Sequence, residues 1–176
     1  MKKILILFAV IFLVIFARFT FLGSEEISVQ NNPSKTESWA FKETRNSQTP
    51  ELLKYFDEKE LRVVKTAAVR NGCDGDLFII LLAIWKAENG RPGCEFGVMH
   101  PKAWDTNLDT QAGWAAATVV KNFNRWSENG ISGEAHLFIE FLGSKYCPVG
   151  AENDPNGLNK HWIKNVTYWY EKLKNV

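Results

Sequence analysis

The chain has 176 residues, 45% hydrophobic and 23% charged, which sets it apart from disordered polyelectrolytes and from polytopic membrane proteins. Its 21 Lys and Arg against 20 Asp and Glu leave a formal charge of +1, without the basic excess that nucleic-acid binding draws on. Seven Trp in so short a chain predict that some of them line a binding cleft.

Met1-Lys2-Lys3 is a short positive region, and Ile4 through Ala17 is an unbroken apolar run. That pattern predicts a secretory signal or a membrane anchor over residues 1–23, carrying the chain across a bacterial-type inner membrane. The run is shorter than the roughly twenty residues of a spanning helix. Phe19 to Gly23 extend it past Arg18, so residues 4–22 can serve as an uncleaved anchor as well as a cleaved leader. The expected location is the periplasm or cell envelope. Without Lys2 and Lys3, 19 basic residues face 20 acidic ones, so bulk charge does not choose the partner. Residues 24–49 are polar, with Asn31-Asn32-Pro33 and Asn46-Ser47-Gln48 around Trp39-Ala40-Phe41, and read as a spacer. The folded domain is expected over 50–176, as a monomer.

Thr49-Pro50-Glu51 begins a helix with Leu52, Leu53 and Phe56 on its apolar face. Asp57 restarts it, and Leu61, Val64 and Ala68 continue to the stop at Asn71-Gly72. Asp74 to Asn89 follows, with Phe78 to Trp85 apolar on every side, the mark of a fully buried helix. A buried strand is the competing reading there, and the polar flanks favour helix. Arg91 to Leu108 is irregular. An alanine-rich helix is predicted over 109–126, facing the core with Ala112, Ala116, Val119, Val120, Phe123 and Trp126. Another spans 131–146 with Leu137, Phe138, Phe141 and Leu142, and a last one spans 158–173 with Trp162, Val166, Trp169 and Leu173. The fold class is all-α.

Glu88 stands in the last turn of the buried helix, before Asn89-Gly90. The helix C-terminus is the negative end of the dipole and disfavours a second negative charge there. Ile84 and Trp85, four and three residues back, desolvate the carboxyl. Both influences hold its proton, which is what a general acid in glycoside cleavage requires.

The segment Leu81-Leu82-Ala83-Ile84-Trp85-Lys86-Ala87-Glu88-Asn89-Gly90, with Gly93-Cys94-Glu95-Phe96-Gly97-Val98, resembles the acid-bearing helix and following loop of lysozyme-like peptidoglycan glycosidases. Goose-type lysozymes and soluble lytic transglycosylases have the most similar pattern. A second stretch, Phe141-Leu142-Gly143-Ser144-Lys145-Tyr146-Cys147-Pro148 with Asn159 to Val166, is similar to the endings of wall-degrading domains. The resemblance covers about residues 52–172. It implies a lysozyme-like fold and peptidoglycan glycan strands as partner. It also implies cleavage of the β-1,4 bond between N-acetylmuramic acid and N-acetylglucosamine, with Glu88 as acid and base and Tyr146 near the scissile bond. Where transglycosylases carry Gly-Leu-Met-Gln, this chain has Gly97-Val98-Met99-His100, so the substrate-contacting glutamine of that pattern has no counterpart.

A hydrolase adds a second carboxylate, for which Asp105 is the candidate; Asp109 reads as an N-cap or first-turn acid, and Glu95 as solvated. Gln111 is a candidate for bonding a sugar N-acetyl group. Cys73, Cys94 and Cys147 allow one disulfide in three ways, and lack the C-x-x-C spacing of a metal site. His100 and His161 have no partner spacing, and no cofactor motif is present. Two readings follow: a glycosidase, by hydrolysis or transglycosylation, or a non-catalytic envelope module that binds glycan through a Trp-rich groove.

Overall fold

The computed structural model describes residues 49–130 and 133–176. The expected leader or anchor at 1–23 and the spacer, apart from Thr49, lie outside the described residues. The described chain is all-α: α1 (Thr49–Leu52), α2 (Glu58–Arg70), α3 (Gly75–Glu88), α4 (Leu108–Glu128), α5 (Ala135–Tyr146) and α6 (Trp162–Leu173), with a 3-10 turn at Leu158–His161. None of these helices is long and apolar enough to cross a membrane.

Local chemistry sets the helix ends. Asp57 caps α2 by accepting from the N–H groups of Lys59 and Glu60, 2.8 and 3.1 Å away. Asn89 ends α3 in the left-handed region at φ 45°, a conformation asparagine tolerates better than most residues. Asn107, rather than Asp109, caps α4, its Oδ1 accepting from Thr110 N–H at 2.9 Å. Asp109 is a first-turn acid, and both its oxygens accept from Arg70 of α2.

The core is organised around α3. Leu77 and the run Ile79 to Ile84 are buried, so this helix has protein on almost every side. Each such side chain contributes about 1.5–3 kcal/mol on burial, before conformational entropy is counted. Helix α3 packs chiefly on α6, and α2 on α4. Helix α5 lies against α4 and α6, so α3, α5 and α6 are linked through α6.

Three expectations need correction. Leu53 and Leu137 do not face the core; they are 39% and 40% exposed, and Ile139 takes the inward place on α5. The last helix is not continuous from Leu158, because both Asp154 carboxylate oxygens accept from the Leu158 and Asn159 N–H groups and hold a 3-10 turn ahead of α6. On α6, Tyr170 is buried where Trp169 was expected, and Trp169 is half-buried. All three cysteines are unpaired, Cys73 and Cys94 buried and Cys147 half-buried.

Candidate active site

Helix α3 delivers Glu88 to the edge of the core, and the next residues keep the carboxyl within protein. A Cβ at Gly90 would stand 2.0 Å from the Cys94 carbonyl oxygen, so only glycine lets the chain reverse this tightly. Gly97 then passes directly against the acid. Its φ is 66°, and a Cβ there would fall 2.4 Å from Glu88 Oε2 and 2.7 Å from Cδ. The Glu88 carboxyl therefore rests on bare backbone.

Two side chains from the far end of the sequence complete the surroundings. The Trp162 indole Nε1–H donates to Glu88 Oε1 at 2.7 Å. Tyr146 stacks on Trp162 with ring centroids 5.4 Å apart and donates its hydroxyl to the Phe96 carbonyl at 2.7 Å. Phe96 in turn stacks on Trp85 of α3 at 5.7 Å, and Trp85 on Phe56 at 4.8 Å. An aromatic chain thus ties α3, the 89–107 loop, the end of α5 and the start of α6 around one carboxyl group.

The electrostatics follow from this enclosure. Burial pushes the Glu88 pKa above the ordinary carboxyl value, and the hydrogen bond from Trp162 opposes that with a smaller effect. The Tyr146 phenol is driven well above its ordinary value, first by burial and then by the negative charge of Glu88. The Cys147 thiol is pushed to about 11 by burial, with Glu88 and Asp154 adding to it. Near neutral pH both neighbours are uncharged. Such a carboxyl can hold a proton, release it to a bound molecule, and take one back.

The other sequence candidates are placed differently. Gln111 is fully buried: its Oε1 accepts from the Phe96 and Val98 N–H groups at 3.4 Å, and its Nε2 donates to the Val98 and Ala103 carbonyls at 3.1 and 2.7 Å. Its amide is fully engaged, so it clamps the loop and has nothing left for a sugar. Asp105 is exposed at φ 56° and accepts from Arg91 Nη1 at 2.7 Å, so its contact is with that guanidinium and not with Glu88. Glu95 is not solvated as expected; Oε1 accepts from Gly93 N–H at 3.0 Å, and Oε2 is buried without a partner. His100 stacks on Trp114 at 4.2 Å, and His161 is exposed at the start of α6. Among the described residues, no three His, Cys, Asp or Glu side chains gather as a metal site would need.

Tyr146 is the one candidate besides Glu88 that the fold brings to the carboxyl, with its hydroxyl committed to the loop. Trp162 and Gly97 are the partners of Glu88 that sequence reading did not assign. Gly97 carries a faint signal, a glycine in a loop after an acid-bearing helix. Trp162 carries none, being 74 positions away from its partner.

Comparison of the chain with family models, curated proteins and solved structures finds no match to any of them.

Proposed function

We propose that this chain is an exported peptidoglycan-cleaving glycosidase, with Glu88 as its general acid and base. The substrate is the β-1,4 bond between N-acetylmuramic acid and N-acetylglucosamine, as the sequence resemblance implies. The observation that carries the reading is the state of Glu88: a carboxyl at the edge of an apolar core, shifted toward its protonated form by burial and held by a neutral donor. Protonating a glycosidic oxygen near neutral pH requires an acid of this kind. Residues 4–22 serve in this reading as the leader or inner-membrane anchor, and no cofactor is needed.

The test is turbidity clearing of purified cell walls by the full-length chain beside Glu88→Gln. Wild-type clearing should be lost in the variant. Equal clearing by both proteins removes Glu88 from the mechanism.

A second reading, a non-catalytic glycan-binding module, is favoured by Trp104 and Trp114, which are 44% and 37% exposed. His100 stacks on one face of Trp114 at 4.2 Å and Arg91 lies over the Trp104 ring at 5.8 Å, so in this reading a sugar meets the exposed remainder of each indole. Wall pull-down with no released muropeptide supports it, and any Glu88-dependent release excludes it.

A further inference from the structure

We propose that Trp162 is a positioning residue for Glu88, assigning its two oxygens to different tasks: Oε1 accepts from the indole, and Oε2, above Gly97, carries the transferable proton.

The assignment follows from what each group can donate and accept. An indole Nε1–H is a donor only, so the oxygen 2.7 Å from it cannot direct a proton along that line. When Glu88 is neutral, its carbonyl-type oxygen is the better acceptor, so the indole favours the carbonyl at Oε1 and the hydroxyl at Oε2. Gly97 leaves Oε2 room, since a Cβ would approach it to 2.4 Å. Trp162 is itself fixed, buried against Tyr146, whose hydroxyl is pinned to the Phe96 carbonyl. The donor is thus immobilised before the acid is, which is how a general acid acquires one orientation rather than several.

The other groups facing Glu88 do not offer a competing charge. From the end of α5 come the Tyr146 phenol and the Cys147 thiol, both raised and neutral in the neutral range. Of the charged residues in the loop after α3, Arg91 is paired with Asp105 and Glu95 Oε1 accepts from Gly93 N–H. From α6 comes only the indole; His161 and Lys160 before it are exposed. A hydrogen bond to a carboxylate favours its ionised form, so removing the indole N–H raises the Glu88 pKa further.

The proposal rests on Glu88 acting as the proton donor, but its first test does not require turnover. In the intact chain labelled with nitrogen-15, the Trp162 indole N–H resonance should shift with pH at the midpoint of the Glu88 carboxyl. The inflection should vanish in Glu88→Gln. A Trp162 resonance that does not titrate, or titrates unchanged in Glu88→Gln, overturns the assignment. Trp162→Phe should raise the carboxyl midpoint and move the alkaline limb of wall clearing upward, while kcat falls by on the order of tenfold or more from lost orientation. If Phe at 162 prevents folding, benzothienylalanine at the same position keeps the bicyclic shape and deletes only the N–H. A carboxyl midpoint unchanged or lowered in either variant refutes the positioning role. Titration as expected with no clearing by any form of the protein leaves the assignment standing and refutes the glycosidase reading.

Discussion

Glu88 is half-buried with its carboxyl pushed up by desolvation, so the folded chain keeps this proton at pH values where the unfolded chain has lost it. More protons bound in the folded state means that stability falls as pH rises from the ordinary carboxyl range through the raised folded value. The contribution is complete below the unfolded pKa and lost above the folded one. Glu88→Gln removes the ionisation while keeping a carbonyl that can accept from Trp162. The variant should therefore melt higher than wild type above the raised folded value, and the gap should close as pH falls through the ordinary carboxyl range. Thermal melts across that range check it, and a gap that widens on acidification contradicts the burial argument. Gly97 meets the same carboxyl from the other side. Gly97→Ala adds a methyl group where Oε2 lies and a Cβ at φ 66°, which costs about 1–2 kcal/mol in backbone strain alone. Wall clearing should fall more than stability does, because the acid itself is displaced. Clearing at the wild-type rate by a folded Gly97→Ala protein would show that Oε2 does not need that space.

The 89–107 segment is the element on which the site depends, and the Gln111 amide gives it a fixed path. Gln111→Leu leaves the buried Phe96 N–H and the Val98 N–H and carbonyl without this partner, while the Ala103 carbonyl keeps the Thr106 hydroxyl. The expected loss is about 2 kcal/mol or more, read as a lower denaturation midpoint with an unchanged denaturant slope. An unchanged midpoint would mean that water replaces the amide at no cost. The helices around this loop were largely legible in advance, because their signals are local. Asp57 before an apolar repeat, and Asn89-Gly90 after a wholly apolar run, each mark an end within one turn of the residue itself. The misread places depend on distant partners. Gln111 reads from the sequence as a sugar-binding side chain, because its bonds go to backbone 8 to 15 residues earlier and leave no local mark. The break before α6 comes from Asp154 satisfying two N–H groups, which no hydrophobic period records. Glu88 was legible as a candidate from its own helix, but Trp162 was not, since their contact exists only once α3 and α6 pack together. Leu53 and Leu137 show the same limit in reverse, being apolar residues at inward spacing that the packing leaves outside.

Among the described residues the ion pairs lie at the surface, whereas Glu88, Tyr146 and Cys73 are enclosed with no opposite charge acting on them. The thiols report this division directly. Cys73 is pushed to about 12 and Cys147 to about 11, and Cys94 is buried. Thiol labelling of the native chain at neutral pH should thus modify Cys147 slowly and the other two only on unfolding. Rapid labelling of all three would contradict the packing around α3. The same division bears on which reaction Glu88 would run. A hydrolase needs a positioned water and normally a second carboxylate to activate it or to stabilise the cation. Here Asp105 is bound to Arg91, Asp109 to Arg70, and one Glu95 oxygen to Gly93 N–H, whereas the groups gathered around Glu88 are the neutral Trp162, Tyr146 and Cys147. One acid that gives a proton to the leaving oxygen and takes one from the sugar's own 6-hydroxyl is sufficient for transglycosylation. That hydroxyl closes onto the anomeric carbon as the glycosidic bond breaks, so no water is consumed. The expected products are anhydro-muropeptides, lighter by one water than the hydrolytic ones, and mass spectrometry of digested walls separates the two. Release of reducing-end products alone, abolished by Asp105→Asn, would instead show that Asp105 leaves Arg91 to serve as the second carboxylate of a hydrolase.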